Sequence, residues 1–246
     1  MGQPEFWCVR DDSLAYLRAE RSDAMNTFKA LFDQIDRCIE AFEQHAGQDT
    51  YARICGLTLL KAKNLALGSC SLILDGLGQE AGALVRPLIE YTELLTYFRH
   101  FPDKVEMALD GDLPPAGERA KAISGRYMEF RQHLNEHAAH SSYSHHSLAH
   151  LVERDLQHFK KLQRMAPAVL SRNFGALAGQ VFFLLHEAVL AIEGIDQVAF
   201  RSFTEATDTL HAEIIRNFQW FLTSVRADEL KRAAQQDVRT FESPYL

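Results

Sequence analysis

The chain has 246 residues, of which 47% are hydrophobic and 24% charged, and these values are ordinary for a folded soluble protein. Its formal net charge of −7 argues against broad, sequence-independent binding to nucleic acid, which depends on a basic surface. No basic region followed by an apolar run opens the sequence, so no signal peptide is expected. The four cysteines form no C-x-x-C pair, which favours reduced thiols and a cytoplasmic location.

Long segments in the first hundred residues repeat with helical period. A helix is predicted over 22–46 because its apolar residues form one stripe opposite a charged face, with Ser22 as N-cap and Gly47 as stop. A second helix begins at Thr50, and its many small residues permit close helix approach, so we place it centrally. After a glycine-rich turn comes a third helix, in which Pro87 removes a backbone donor and predicts a kink.

The chain beyond residue 100 also favours helices. Residues 102–118 are predicted to form a short helix or an irregular linker, and a further helix from about Glu118 enters a histidine-rich region. The most apolar stretch, 174–195, carries charged residues that are costly in hydrocarbon, so it predicts a buried helix and not a membrane span. A last helix is expected from Ser202. Its predicted inward positions are Leu210, Ile214, Ile215, Phe218, Phe221, Leu222 and Val225.

No internal repeat, low-complexity tract or clear linker divides the sequence. The sequence therefore predicts a single all-α domain over residues 1–246, built as a bundle of roughly six to nine helices. Within it we expect an N-terminal helix over 22–46, a core over about 50–145 and C-terminal helices over 166–237.

Six of the eleven histidines lie within residues 130–150. On a helix His133, His137 and His140 would share a face, because they are four and three residues apart. Three imidazoles beside Glu136 suit zinc, iron or nickel, which makes them candidate metal ligands. The more ordinary interpretation is a helix edge whose imidazoles bond backbone carbonyls or water, with no metal or other cofactor. The turn beyond holds His145, His146 and His150.

Arg131 and His137 suggest a different chemistry. Arginine can hold a phosphate, and histidine can move the proton of an RNA 2′-hydroxyl. The two residues lie about 120° apart on an ideal helix, so they converge if the helix ends between them or if two subunits meet. Arg86 and Glu90 lie four apart on a mainly apolar helix. They form either a structural polar clamp or part of an anion-binding cavity shared with His137 and His140.

Two segments together resemble a known family. "AGALVRPLIEYTELLTYF" (81–98) resembles a helix of the form A-x-x-L-x-R-x-L-x-E, and "YMEFRQHLNEHAAHSS" (127–142) resembles a downstream segment that closes on a histidine and a serine. The pair is similar to that of uncharacterised bacterial helical proteins related to the HEPN superfamily (higher eukaryotes and prokaryotes nucleotide-binding). The resemblance covers about residues 55–145.

This resemblance implies a compact helical bundle that often dimerises. Many HEPN domains are RNases or toxins of defence systems, and their motif places a histidine a few residues after an arginine. Arg131 and His137 fit that motif, so the resemblance implies metal-independent catalysis by these two residues. It further implies substrate binding by Arg86, Glu90, His140 and Ser141.

Three functions therefore stay open. The first is a HEPN-like homodimer that binds a nucleotide or RNA phosphate and acts as a defence-related ribonuclease. The second is a non-enzymatic helical scaffold or regulatory module that binds a protein partner. The third is a histidine-rich metal-binding bundle. None of the three involves a membrane.

Overall fold

The structure is a computed structural model, and it describes residues 7–125, Leu151, His158 and residues 164–224. These residues form helices and turns and contain no strand, so the prediction of an all-α bundle is confirmed. In chain order the described helices are α1 (Cys8–Glu20), α2 (Ser22–His45), α3 (Thr50–Leu74), α4 (Gly78–His100), a 3-10 turn (Pro102–Lys104), α5 (Val105–Asp110), α6 (Ala116–Ala122), α7 (Pro167–Ile192) and α8 (Gln197–Asn217).

Four long helices, α2, α3, α4 and α7, form the core. Both α3 and α7 contact α2 and α4, and they also contact each other. The remaining long helix, α8, packs on α2 and α7. The central place predicted for α3 from its small residues is therefore confirmed.

The packing around α3 depends on two glycines. A Cβ atom on Gly56 would lie 3.0 Å from the Cβ of Phe42 in α2, and one on Gly68 would lie 3.1 Å from Cδ1 of Leu84 in α4. Both distances are tighter than ordinary van der Waals contact, so α2 and α4 approach the α3 backbone more closely than a larger residue would allow. Three alanines on the buried face of α3 have the same effect: Ala52, Ala62 and Ala66.

The apolar stripe predicted for α2 faces the core. Its buried members are Phe28, Leu31, Phe32, Ile35 and Phe42. The Phe28 ring lies 4.8 Å from the Phe174 ring of α7, which ties the second helix to the seventh. The predicted cap is wrong by one residue, because Ser22 is already helical and Arg21 holds the N-cap position without a side-chain cap.

The middle of the chain contains shorter helices than predicted. The helix expected from about Glu118 ends at Ala122, since Ser124 and Gly125 take left-handed φ angles of 69° and 65° that stop a helix. Residues 102–118 do contain a short helix, α5, which closes on the left-handed Gly111. The sequence interpretation omitted α1 altogether.

The inward positions predicted for the last helix are partly wrong. The structure buries Leu210, Ile214 and Phe218. Ile215 and Leu222 are instead 51% and 43% exposed. Ile215 lies on α8 itself, about 100° round the helix from Ile214 and outside the buried face. Leu222 follows a turn at Phe218, which breaks the single periodic pattern. Val225 lies outside the described residues.

Two described helices, α3 and α7, are long and apolar enough to cross a membrane by length and composition, which is weak evidence for a membrane protein. The most apolar segment of α7 is 61% buried, as expected for the buried helix predicted at 174–195. The most apolar segment of α3 is only 33% buried, so a large part of this apolar helix faces outward.

The N-terminus of α8 generates a test of the fold. The Asp196 carboxylate accepts hydrogen bonds from the backbone N–H groups of Ala199 and Val198, and these bonds lower its pKa below the ordinary 3.8. A carboxyl group whose pKa is lower in the folded state than in the unfolded state stabilises the fold at pH values above the unfolded-state pKa. This stabilisation disappears as the pH falls through the folded-state pKa. We expect Asp196→Ala to lower the stability measured by urea unfolding at neutral pH.

The loss of stability caused by Asp196→Ala should become smaller when unfolding is measured at lower pH, down to about pH 3. Asp208→Ala is the matched control, because Asp208 is an exposed aspartate within the same helix and caps nothing. A destabilisation by Asp196→Ala that is the same at acidic and neutral pH would contradict the charged-cap explanation.

Candidate functional site

Two of the predicted site residues, Arg86 and Glu90, lie on α4 within the described part of the chain. Arg86 Nε is 3.3 Å from Glu90 Oε1, and both side chains are partly exposed. Arg86 and Glu90 are therefore in contact, as their four-residue spacing predicts. Their role as a structural clamp stays a prediction. Their role in binding a substrate stays a prediction.

The other predicted site residues lie outside the described residues. These are Arg131, His137, His140, Ser141 and the further metal candidate His133. Their convergence with Arg86 stays a prediction as well. Among the described residues, no three His, Cys, Asp or Glu side chains are arranged to hold a metal ion.

A buried ion pair joins α4 to α7. Arg99 Nη2 lies 3.3 Å from Oε2 of Glu187, and the Glu187 side chain is almost completely buried while that of Arg99 reaches the surface. A buried carboxylate needs a cation or hydrogen-bond donors to offset its lost hydration. The pair was missed in the sequence because its members are 88 residues apart, and no spacing rule connects them.

Near this pair, Tyr51 and Cys55 lie on the first turns of α3. Burial raises the pKa of Tyr51 well above its ordinary value, although the nearby charge of Arg99 partly opposes the shift. Burial also raises the pKa of the Cys55 thiol to about 12. Both groups are therefore protonated at neutral pH, and neither is poised as a nucleophile or general base.

A small cavity lies between α1, the turn after α3 and the start of α7. Its lining includes Ser13, Gly76, Met165 and Asn173, and its volume is about 20 Å³. That volume suits about one water molecule, whereas small-molecule sites typically measure about 300–1,000 Å³. This cavity cannot enclose a nucleotide.

Among the described residues, a row of exposed leucines lies on the outer face of α3. Leu57, Leu60 and Leu67 are 53%, 40% and 46% exposed. They lie opposite the buried alanines of the same helix, and exposed Asn64 lies between them. We call these four residues the leucine stripe. Contiguous exposed apolar residues of this kind mark interaction sites in soluble proteins.

Ordered polar side chains border the leucine stripe. Lys61 lies over the ring of Tyr91 at 6.0 Å, and Lys63 forms an ion pair with Asp36 of α2. Leu84 of α4 packs beside Gly68 at the edge of the same surface. An apolar centre with a polar rim is the usual anatomy of a protein–protein interface.

Comparison of the chain with known protein families, with characterised proteins and with solved structures gives no significant match. The interpretation of the site therefore depends on its own chemistry.

The buried ion pair generates a stability prediction. Arg99→Met removes the cation beside buried Glu187, and we expect it to lower the free energy of unfolding by about 2 kcal/mol. Arg86→Met makes the same chemical change in the partly exposed pair with Glu90, so we expect a loss below about 1 kcal/mol. Urea unfolding followed by circular dichroism measures both values. Equal losses would contradict the conclusion that burial of Glu187 makes its ion pair more important for stability.

Proposed function

We propose that the chain is a protein-interaction module that docks a partner on the outer face of α3. One observation carries the proposal: the leucine stripe is exposed on the helix that forms the centre of the core. This is the second of the three functions that the sequence leaves open.

The position of the stripe suits docking because the helix beneath it is held firmly. Three neighbouring helices, α2, α4 and α7, pack on α3 and fix its orientation. A rigid helix with apolar residues at helical spacing binds a groove or another helix with little loss of conformational entropy. Binding would also remove leucine surface from water, and this transfer is favourable by about 25 cal/mol per Å² of apolar surface buried.

A photo-crosslinking amino acid at position 60 tests this proposal in living cells. We expect covalent adducts from the position 60 variant, because the Leu60 side chain lies in the centre of the stripe. The same amino acid at Ile215 is the matched control, since Ile215 is a similarly exposed apolar residue on α8. Adding Leu57→Lys and Leu67→Lys to the position 60 variant should abolish its adducts.

Two results would overturn the interaction proposal. One is the absence of any adduct at position 60. The other is an equal yield of adducts at positions 60 and 215, which would show non-specific contact. Gel mobility of the adduct then gives the mass of whatever binds.

We propose ribonuclease activity as a second candidate function, on the strength of the HEPN resemblance. The structural observation that favours it is the side chain of Arg86, which lies beside Glu90 on α4 and is partly exposed at the surface, where an anion would meet it. Arg131 would bind the phosphate, and His137 would act as acid and base.

Total RNA and growth on overexpression test the second candidate. We expect wild-type protein to cleave RNA and slow growth, and Arg131→Ala with His137→Ala to lose both effects. His150→Ala is the matched control, because the resemblance gives this neighbouring histidine no role. Identical behaviour of wild type and the double variant would sink the nuclease hypothesis.

A further inference from the structure

We infer that the partner docked on α3 is the same face of a second copy of this chain. The inference rests on the proposed function and names its partner. Three features support it: the heptad spacing of the leucines, the amide within the stripe, and the charges at the two ends of the helix.

The outward residues of α3 follow a heptad. Leu57 and Asn64 occupy one position of the repeat, and Leu60 and Leu67 occupy the second, three residues further on. Leu74 continues the second position, although it is half-buried. From Leu57 to Leu74 the row is about 26 Å long at the α-helical rise of about 1.5 Å per residue. Helices with this repeat pair with helices of the same repeat, because their side chains interdigitate.

Asn64 favours self-pairing over a purely apolar partner. Its exposed amide has both donors and an acceptor, and an apolar groove would desolvate them without replacing their hydrogen bonds. In a two-fold interface a residue near the axis meets its own copy. The carboxamide of one Asn64 can then donate a hydrogen bond to the carbonyl oxygen of the other. Burial of the amide therefore costs little free energy in this dimer, and much in a purely apolar groove.

The charges at the ends of α3 favour an antiparallel arrangement. Exposed Arg53 precedes the leucine stripe, and Asp75 follows the last turn of the helix. Arg10 holds Asp75 in place through two hydrogen bonds of 2.7 and 2.6 Å, and the carboxylate stays partly exposed. A two-fold axis across the helix near Asn64 brings Arg53 opposite Asp75 of the second copy. The same arrangement sets the helix dipoles antiparallel.

Light scattering on the purified chain provides the first test. We expect a mass twice the chain mass of 27.9 kDa for wild type. Leu60→Lys with Leu67→Lys should raise the dimer dissociation constant at least about 100-fold, because four charges, two from each copy, would be buried at the centre of the interface. Both side chains are exposed in the single chain, so far-UV circular dichroism should not change. The melting temperature should equal that of wild type diluted until it is monomeric, because only the stabilisation by association is lost. Ile215→Lys is the matched control and should leave the dimer intact.

The charge at one end of the helix can be tested separately. Arg53→Asp places an acidic group opposite Asp75 of the second copy, and we expect association to weaken about fivefold. No change in association for this variant would contradict the antiparallel arrangement.

Crosslinking provides a test of the register. A chain with Cys8→Ser and Cys70→Ser lacks the two cysteines that are not fully buried, and Asn64→Cys then adds one thiol near the proposed axis. A short bis-maleimide should join two copies through position 64. The same thiol at Ile215 should give no covalent dimer, because a second copy does not approach α8 in this arrangement.

Several results would overturn self-pairing, and they differ in what they mean for the proposed function. A monomeric wild type whose position 60 adducts contain another protein rejects the second copy and retains the interaction module. A monomeric wild type in which Leu60→Lys with Leu67→Lys lowers the melting temperature shows that the chain covers its own stripe, and rejects both. A dimer that survives the lysine substitutions rejects α3 as its interface.

Discussion

The close approach of neighbouring helices to α3 is the constraint on which the rest of the structure depends. A helix contacted by α2, α4 and α7 needs a small residue wherever a neighbouring side chain comes close to its backbone. Gly56 and Gly68 meet that requirement against Phe42 and Leu84. Leu57, Leu60 and Leu67 lie on the face of α3 that no described neighbouring helix covers. The exposed leucines therefore lie on a helix whose other faces are covered by α2, α4 and α7.

The same constraint explains why the sequence predicted the position of α3 but not its exposed face. A helix that is apolar around most of its circumference is typical of a buried helix. In α3 the exposed leucines lie on the face opposite the buried alanines, and composition alone does not separate exposed from buried apolar residues. The heptad spacing of Leu57, Leu60, Asn64 and Leu67 was the signal that could have done so.

Local patterns predicted the structure well where one helix determines the outcome. The stripe of α2 was recognised because its Phe and Ile residues repeat along a single amphipathic helix. The Arg86–Glu90 pair follows from a four-residue spacing in the same way. The pattern failed at Ile215 because this residue lies about 100° round the same helix from buried Ile214, outside the buried face. It failed at Leu222 because a turn at Phe218 interrupts the helical period. It also missed Arg99 with Glu187, since tertiary packing alone brings them together.

The two proposed functions are linked by a geometric requirement of the sequence itself. Arg131 and His137 would lie about 120° apart on one helix, so a site that uses both needs either a helix end between them or a second subunit. Pairing through α3 would supply a second subunit, and it would do so with side chains that take no part in phosphate chemistry. Association can therefore succeed or fail in its own assay while the activity of Arg131 and His137 is judged in another. A dimer without nuclease activity would identify a scaffold, whereas nuclease activity in a monomer would require the helix end.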